Sequence, residues 1–185
     1  RRPPRSTRKE SSAASDVYKR QTLNPVEEDE FIDKDLSMKD YLSEIISSFK
    51  DISKKNFIFN FDQYSNVKKI TKSIEIVYGL RNFIGNANKF SKETIHITLK
   101  SDSEMTEIII EDDGNGYPRD VLSKMGEPYL RSKDPIEKAK TGLGLGLFIG
   151  KTLLEKNFAS INCRNSKTRT GAEVIIKWNN KDLFN

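Results

Sequence analysis

Three short segments of the sequence, in a fixed order, carry the residue types that a nucleotide-binding site requires. Residues 82–90 contain three asparagines and a lysine, residues 112–118 contain two aspartates followed by two glycines, and residues 142–150 begin with three glycines at alternate positions. Amide, ammonium and carboxylate groups can bind phosphates and a base, and glycine lets the backbone approach a ligand closely. None of the segments is specific alone, but together they predict a nucleotide pocket.

The first segment places its polar groups on one side of a predicted helix. Asn82 and Asn86 are four residues apart and share a face, and Lys89 lies close to that face. An Asn carboxamide can offer its oxygen to Mg²⁺ or to a metal-bound water and its nitrogen to a phosphate oxygen. A solvated polar helix face is the alternative interpretation, although Asn is a poor helix former.

The second segment ends a strand of three isoleucines. Asp112 follows them, and Gly114 and Gly116 have the spacing of a backbone that turns closely against a ligand. A carboxylate there can accept a hydrogen bond from an exocyclic amine, such as N6 of adenine. An ordinary Asp-Gly turn at the end of a strand is the alternative.

The third segment opens a helix with Gly142, Gly144 and Gly146. Backbone N–H groups and the helix dipole make such a start an anion site. A dinucleotide fingerprint needs a preceding strand, but a charged loop precedes here. A Walker A loop needs Gly-Lys-Ser/Thr at its end, and Lys151-Thr152 lies too far along the helix.

The spacing of apolar residues predicts the elements that hold these segments. Ser37 and Asp40 form a capping-box pattern, with Asp in place of the usual Glu or Gln. The predicted helices cover about 37–50, 73–90, 118–125 and 143–156. The predicted strands cover 56–61, 67–71, 94–100, 106–111, 160–164 and 172–178, and a charged loop covers 126–141. This order predicts an α/β two-layer sandwich, a mixed sheet packed on one face by about three helices.

Residues 1–21 lack hydrophobic periodicity and resemble an in-frame translation of the adapter used in short-read sequencing libraries. A basic nucleic-acid-binding arm and a disordered tail are the alternatives. The segment has seven Lys or Arg and two Asp or Glu, whereas residues 22–185 have 25 of each, so the net charge of +5 predicts no nucleic-acid partner. The predicted fold therefore begins after this segment. We expect a linker over 22–35, one domain over 36–180, a tail over 181–185, and natural sequence missing upstream of Thr22.

The single cysteine and the single histidine predict no chemistry. Cys163 lies in an apolar-alternating run, which indicates a half-buried, inert thiol and excludes a disulfide framework. His96 lies mid-strand between two isoleucines and is interpreted as a structural residue. No apolar run approaches the ~18 residues of a membrane span, so we expect no membrane contact by this chain.

The three segments resemble the N, G1 and G2 boxes of the GHKL ATP-binding superfamily, in particular the catalytic domain of bacterial sensor histidine kinases. The resemblance covers about residues 37–178. Residues 126–129, Gly-Glu-Pro-Tyr, together with residues 142–155, look most like the RegB/PrrB redox-responsive group. The resemblance implies the Bergerat fold, with ATP and Mg²⁺ as cofactors.

The resemblance also implies a role for each matching residue at the base and the phosphates. Asn86 would hold Mg²⁺, Asn82 would assist at the phosphates, and Lys89 would contact a phosphate oxygen. Asp112 would bind adenine N6, directly and through water. The backbone at Gly114 and Gly116 would turn around the base.

A lid over residues 119–141 is implied by the same resemblance. Gly142, Gly144 and Gly146 would hinge it and contact the phosphates. Arg131 or Lys133 would supply a cation for the γ-phosphate, and Tyr129 would pack against the lid or the base.

The residue at position 82 separates two kinds of chemistry within this superfamily. ATPases such as gyrase place a Glu where Asn82 stands, and that Glu activates water. Asn is no general base at neutral pH, so the resemblance implies a γ-phosphoryl donor for an imidazole rather than a hydrolase. His96 lacks a phosphoacceptor context, so the accepting histidine is expected upstream.

The expected partners follow from that role. The phosphoacceptor histidine would lie on a dimerisation helix hairpin of a homodimeric protein, and a response regulator would receive the phosphoryl group. This domain would be cytoplasmic, with the full-length protein anchored in the bacterial inner membrane.

Two other functions stay open on the sequence. An anti-sigma serine kinase has the same fold, but the helical segment before the domain and residues 126–129 favour the histidine kinase. A non-enzymatic nucleotide-sensing module is the second alternative. Phosphotransfer to a histidine-bearing domain would distinguish the three.

Overall fold

Alternating apolar and polar residues build a five-stranded sheet in the part of the chain that the computed structural model describes, residues 36–62, 70, 73–125, 127–128 and 145–184. The strands are β1 Asn56–Phe61, β2 Thr94–Ser101, β3 Met105–Asp112, β4 Ser160–Asn165 and β5 Ala172–Asn179. The helices are α1 Met38–Lys50, α2 Ile74–Phe90, α3 Arg119–Leu122, α4 Gly146–Lys156 and α5 Asn180–Leu183. The strand order is β1-β2-β3-β5-β4, and only the β1–β2 pair of this sheet is parallel.

One face of the sheet is apolar and lies under the helices. Ile97 of β2, Ile110 of β3 and Ile176 of β5 are at most 1% exposed, and they belong to the same buried cluster as the inner residues of α1, α2 and α4. Successive side chains of a strand point to opposite faces, so the intervening residues form the outer face. That face carries charged pairs, including Lys177–Glu107 at 2.7 Å.

Both long N-terminal helices begin at a serine cap, and the sequence predicts the first of the two. The Ser37 Oγ accepts a hydrogen bond from the Asp40 N–H at 3.2 Å, and Asp40 Oδ2 accepts one from the Ser37 N–H at 3.1 Å. This pair forms a capping box that starts α1. Ser73 caps α2 through the Ile76 N–H at 3.3 Å.

Two glycines bring α2 and α4 close together. A Cβ atom at Gly79 would lie 2.6 Å from the Leu154 side chain, and one at Gly150 would lie 3.0 Å from the Phe83 ring. No real side chain fits at such distances without a shift of its neighbours. The distance between α2 and α4 therefore depends on the absence of side chains at both positions. This close contact also fixes the orientation of the α2 face that carries Asn82 and Asn86.

The predicted fold class is confirmed: a mixed sheet is covered on one face by helices. Of the predicted hairpin strands, the first extends by one residue to Ser101 and the second by one residue at each end, to Met105 and Asp112. The helix predicted over 118–125 is one turn, Arg119–Leu122. A further helical turn, α5, begins at Asn180 and continues into the expected tail, where Leu183 is buried in the core cluster. Residues 1–35, the predicted strand over 67–71 apart from Ile70, and most of the loop over 126–141 lie outside the described residues.

No helix in the described ranges has the length and apolar character needed to cross a membrane.

The close helix contact predicts a position-specific response to alanine. Gly79→Ala should lower the free energy of unfolding by about 1–2 kcal/mol, because overpacking against Leu154 outweighs the gain in helix propensity. Gly85→Ala is the matched control in the same helix, since its Cβ would lie at an ordinary 3.4 Å from Phe49. It should leave stability unchanged or raise it. Urea denaturation measures both, and equal effects of the two variants would contradict the account.

Candidate functional site

The start of α4 faces the two asparagines of α2. A Cβ at Gly146 would lie 3.2 Å from Asn86 Oδ1, and a Cβ at Gly150 would lie 3.2 Å from the Asn82 Cβ. Asn82 and Asn86 therefore share one face, as their spacing predicts, and that face looks onto the glycine side of α4. The first and third segments of the sequence are thus in contact.

Asn86 has the character of a ligand-binding residue. Its Nδ2 is buried and has no hydrogen-bond partner among the described residues. Buried polar groups are nearly always paired, and leaving one unpaired costs about 1–3 kcal/mol. The Asn82 Nδ2, in contrast, donates to the Tyr78 carbonyl at 2.8 Å. The unpaired Nδ2 donor of Asn86, beside the N-terminus of α4, fits a ligand that accepts a hydrogen bond at this point.

Lys89 lies in the last turn of α2 and is exposed. Its Nζ lies 5.7 Å from the centre of the Phe90 ring. No carboxylate of the described residues forms an ion pair with it, so its ammonium group is available for an anion at the end of α2.

Asp112 is a buried carboxylate, and one of its two oxygens accepts hydrogen bonds from the backbone. It is 4% exposed, and its Oδ1 accepts hydrogen bonds from the N–H of Gly114 at 2.8 Å and of Ala172 at 3.2 Å. No donor of the described residues reaches Oδ2. Desolvation by burial raises the pKa of Asp112, and the two backbone hydrogen bonds offset only part of that rise. The free oxygen is suited to accept a hydrogen bond from a ligand.

Two glycines allow this arrangement. A Cβ at Gly114 would lie 2.3 Å from the Phe90 carbonyl oxygen, and a Cβ at Gly171 would lie 2.3 Å from Asp112 Oδ1. Gly114 therefore joins the second segment to the end of α2. No role for Gly171 follows from the sequence, where the only local signal is a glycine directly before a predicted strand.

The neighbouring carboxylate, Asp113, has a structural role as an acceptor for backbone N–H groups. It accepts hydrogen bonds from the N–H groups of Lys92 at 2.7 Å, Glu93 at 3.1 Å and Thr94 at 3.0 Å. Desolvation raises the pKa of Asp113, but these backbone hydrogen bonds outweigh it and lower the pKa overall. Asp113 thereby links the glycine turn, residues 114–116, to the connection between α2 and β2.

Gly116 and Tyr117 complete the turn. Gly116 has a φ of +77°, a conformation that favours glycine. Tyr117 packs against the core beside Cys163, and desolvation by burial raises the pKa of the Cys163 thiol to about 11. The predicted half-buried thiol is confirmed, and a protonated thiol at neutral pH is unreactive.

His96 lies on the outer face of the sheet, where it pairs with Glu111 of β3. Its neighbours Ile95 and Ile97 point to the helices, so His96 points away from them. Desolvation and the nearby Arg169 lower its pKa, and Glu111 and Asp113 act in the opposite direction. The structural role predicted for His96 fits this position.

The remaining predicted site residues belong to the predicted lid and to the third segment. Gly146 is the first residue of α4 and lies beside Asn86. Five predicted residues lie outside the described part of the chain: Tyr129, Arg131, Lys133, Gly142 and Gly144. Their roles stay predictions.

Comparison with known proteins gives consistent matches. The family model described as "Histidine kinase-, DNA gyrase B-, and HSP90-like ATPase" matches residues 71–182. Sensor histidine kinase RegB of Cereibacter sphaeroides is 37% identical over 124 residues, which are 59% of this chain and 27% of that protein. Sensor protein SrrB of Staphylococcus aureus is 32% identical over 100 residues, 53% of this chain and 17% of that protein. The chain thus spans about a quarter or less of these relatives.

Two solved structures have the same fold. The mycobacterial sensor histidine kinase MprB matches with a TM-score of 0.62 and 19% identity, over 78% of this chain and 95% of that one. The catalytic domain of histidine kinase ThkA matches with a TM-score of 0.63 and 20% identity, over 77% of this chain and 94% of that one.

The hydrogen bonds of Asp113 predict a pH-dependent contribution to stability. Asp113→Ala should lower the free energy of unfolding at pH 7 by about 1–3 kcal/mol, because three N–H groups lose their acceptor. The folded-state pKa is lowered, so this contribution is present above the unfolded pKa of about 3.9 and is lost as pH falls through the folded value. Urea denaturation at pH 7 and near pH 3 measures the difference.

Glu93→Ala is the control for that experiment, since its exposed carboxylate has no hydrogen bond to the described residues. It should change stability by less than about 0.5 kcal/mol at either pH. An Asp113→Ala effect that is as small, or that does not shrink in acid, would rule out the proposed role of Asp113.

Proposed function

The chain belongs to the histidine kinase-, DNA gyrase B-, and HSP90-like ATPase family, and we propose that it is the ATP-binding catalytic domain of a two-component sensor histidine kinase. It would donate the γ-phosphoryl group of ATP to a histidine on a separate domain. The observation that carries this proposal is the convergence of three segments: Gly146 lies against Asn86, and Gly114 lies against Phe90 at the end of the same helix.

The base end of the nucleotide is assigned to Asp112. Its Oδ1 is held by Gly114 and Ala172, so Oδ2 can accept a hydrogen bond from the N6 amine of adenine. In a buried site a hydrogen bond to an ionised carboxylate is strong. The adjacent turn at Gly114 and Gly116 would lie along the base.

The phosphate end is assigned to the α2–α4 contact. The buried, unpaired Nδ2 of Asn86 can donate to a phosphate oxygen, and its Oδ1 is the atom that would face a hydrated Mg²⁺ ion, with Asn82 and Lys89 nearby on the same helix. When bound, Mg²⁺ would neutralise phosphate charge. The N-terminus of α4 adds a favourable dipole for anions.

Position 82 favours phosphoryl donation over hydrolysis. The Asn82 carboxamide has no basicity at neutral pH, and its nitrogen already donates to Tyr78. No general base for water is therefore supplied from this position. The domain would position ATP until an imidazole attacks in line.

The accepting histidine belongs to another domain in this proposal. His96 faces away from the helices and from Asp112, so it cannot approach a nucleotide held there. The identity of 37% to RegB supports the RegB/PrrB group. A histidine-bearing dimerisation domain in a homodimer, a response regulator, a cytoplasmic domain and inner-membrane anchoring of the whole protein complete the proposal.

Asp112→Asn tests the base site. The Asn oxygen can still accept from Gly114 and Ala172, so the fold should persist, but its NH₂ group cannot accept from N6. ATP affinity measured by calorimetry should fall by at least about tenfold. Burial raises the folded-state pKa of Asp112, so the ionised carboxylate costs stability once pH exceeds its unfolded value. The melting temperature at pH 7 should therefore not fall, and unchanged affinity would contradict the base assignment.

Phosphotransfer in trans tests the activity itself. The chain, γ-labelled ATP and Mg²⁺ are incubated with a purified histidine-bearing dimerisation domain of a RegB-type kinase. Acid-labile label should appear on that domain, and Asp112→Asn should abolish it. ATP binding without transfer would support a nucleotide-sensing module instead, and transfer to a serine-bearing protein would support a serine kinase.

A further inference from the structure

The side chain of Asn165, the last residue of β4, is paired with the backbone of the glycine turn. Its Oδ1 accepts a hydrogen bond from the Tyr117 N–H at 2.6 Å, and its Nδ2 donates to the Tyr117 carbonyl at 3.1 Å. Because the same amide both accepts from and donates to one residue, it fixes the position and the rotation of that residue.

The backbone conformation of Gly116 and its lack of a side chain permit this contact. A Cβ at Gly116 would lie 2.7 Å from Asn165 Oδ1, and the φ of Gly116 is +77°. A side chain here would therefore both strain the backbone and displace the Asn165 amide. The glycine turn and Asn165 are built as one unit.

Asn165 is also connected to the base-binding carboxylate. It is paired with Ala172 across β4 and β5, and the Ala172 N–H donates to Asp112 Oδ1. The turn is consequently held at both ends. The Asp112–Gly114 hydrogen bond fixes its start, and the Asn165–Tyr117 pair fixes its end.

We propose that Asn165 is a positioning residue for the nucleoside end of the ligand. It sets the Gly114–Gly116 turn so that the turn and Asp112 Oδ2 meet the base together. This inference rests on the proposed function. Asn165 itself is exposed, so its side chain contributes little to the core. Its substitution should therefore change the shape of the turn and not the packing of the core. The phosphate end, at Asn86 and α4, does not depend on it.

Asn165→Ala tests the proposal, with Asn162→Ala as the matched control. Asn162 lies on the same strand and is exposed, and its side chain has no hydrogen bond to the described residues. Calorimetry gives the affinity of the full chain for Mg·ATP, and competition gives its affinity for inorganic tripolyphosphate, which lacks a base. Asn165→Ala should weaken ATP binding about tenfold and leave tripolyphosphate binding unchanged. Asn162→Ala should change neither.

Asn165→Asp provides a graded variant. It keeps the acceptor for the Tyr117 N–H and loses the donor to the Tyr117 carbonyl, so ATP binding should weaken by about threefold. If Asn165→Ala fails to fold, which urea denaturation would reveal, Asn165→Asp tests the proposal in its place.

The outcomes separate this inference from the proposed function. If the wild type binds ATP and Asp112→Asn does not, equal ATP affinity of Asn165→Ala and Asn162→Ala overturns this inference alone. An equal loss of ATP and tripolyphosphate binding overturns it as well, because the effect would then be general damage. A wild-type chain that binds no ATP overturns both.

Discussion

The site depends on one interaction, the pair of backbone hydrogen bonds that Asp112 Oδ1 accepts from Gly114 and Ala172. They hold a carboxylate at the end of a central strand, where burial alone would disfavour its charge. Their geometry requires the backbone at Gly114 and Gly171 to lie closer to Asp112 than any side chain permits. One oxygen is thereby fixed, and the other is left for a ligand.

A second constraint acts on the helices. Glycines at the α2–α4 contact let the two axes approach until Asn82 and Asn86 meet the start of α4. Because the Gly114 backbone lies against Phe90, the end of the same helix also meets the turn after β3. Helix α2 thus contacts both α4 and the turn after β3, and it fixes the position of one relative to the other. These two constraints fix the buried Asp112 carboxylate relative to the side-chain amides of Asn82 and Asn86.

Much of this arrangement could be predicted from the sequence, because it is local. Helical spacing places Asn82 and Asn86 on one face, and the alternation along β3 places Asp112 with Ile108 and Ile110 on the helix side. The strand bounds follow from the same period.

The contacts that complete the site could not be predicted in this way. Gly171 and Asn165 act on Asp112 and Tyr117 from about 50 to 60 residues away, through the β4–β5 pair, and nothing next to them in the sequence indicates it. Asp112 and Asp113 are adjacent carboxylates with opposite pKa shifts, since one faces the core and the other collects three backbone N–H groups. Only the tertiary structure shows that the two carboxylates have different roles.

We propose that Asp112 binds the base of a nucleotide while Asn86 binds at its phosphates. The decisive measurement is a crystal structure of the chain with Mg²⁺ and a non-hydrolysable ATP analogue. We expect the adenine N6 amine within about 3 Å of Asp112 Oδ2, with Oδ1 still bonded to Gly114 and Ala172, and the Asn86 carboxamide at the metal or a phosphate. A nucleotide bound elsewhere, or a base that leaves Asp112 Oδ2 without a hydrogen bond, would contradict it.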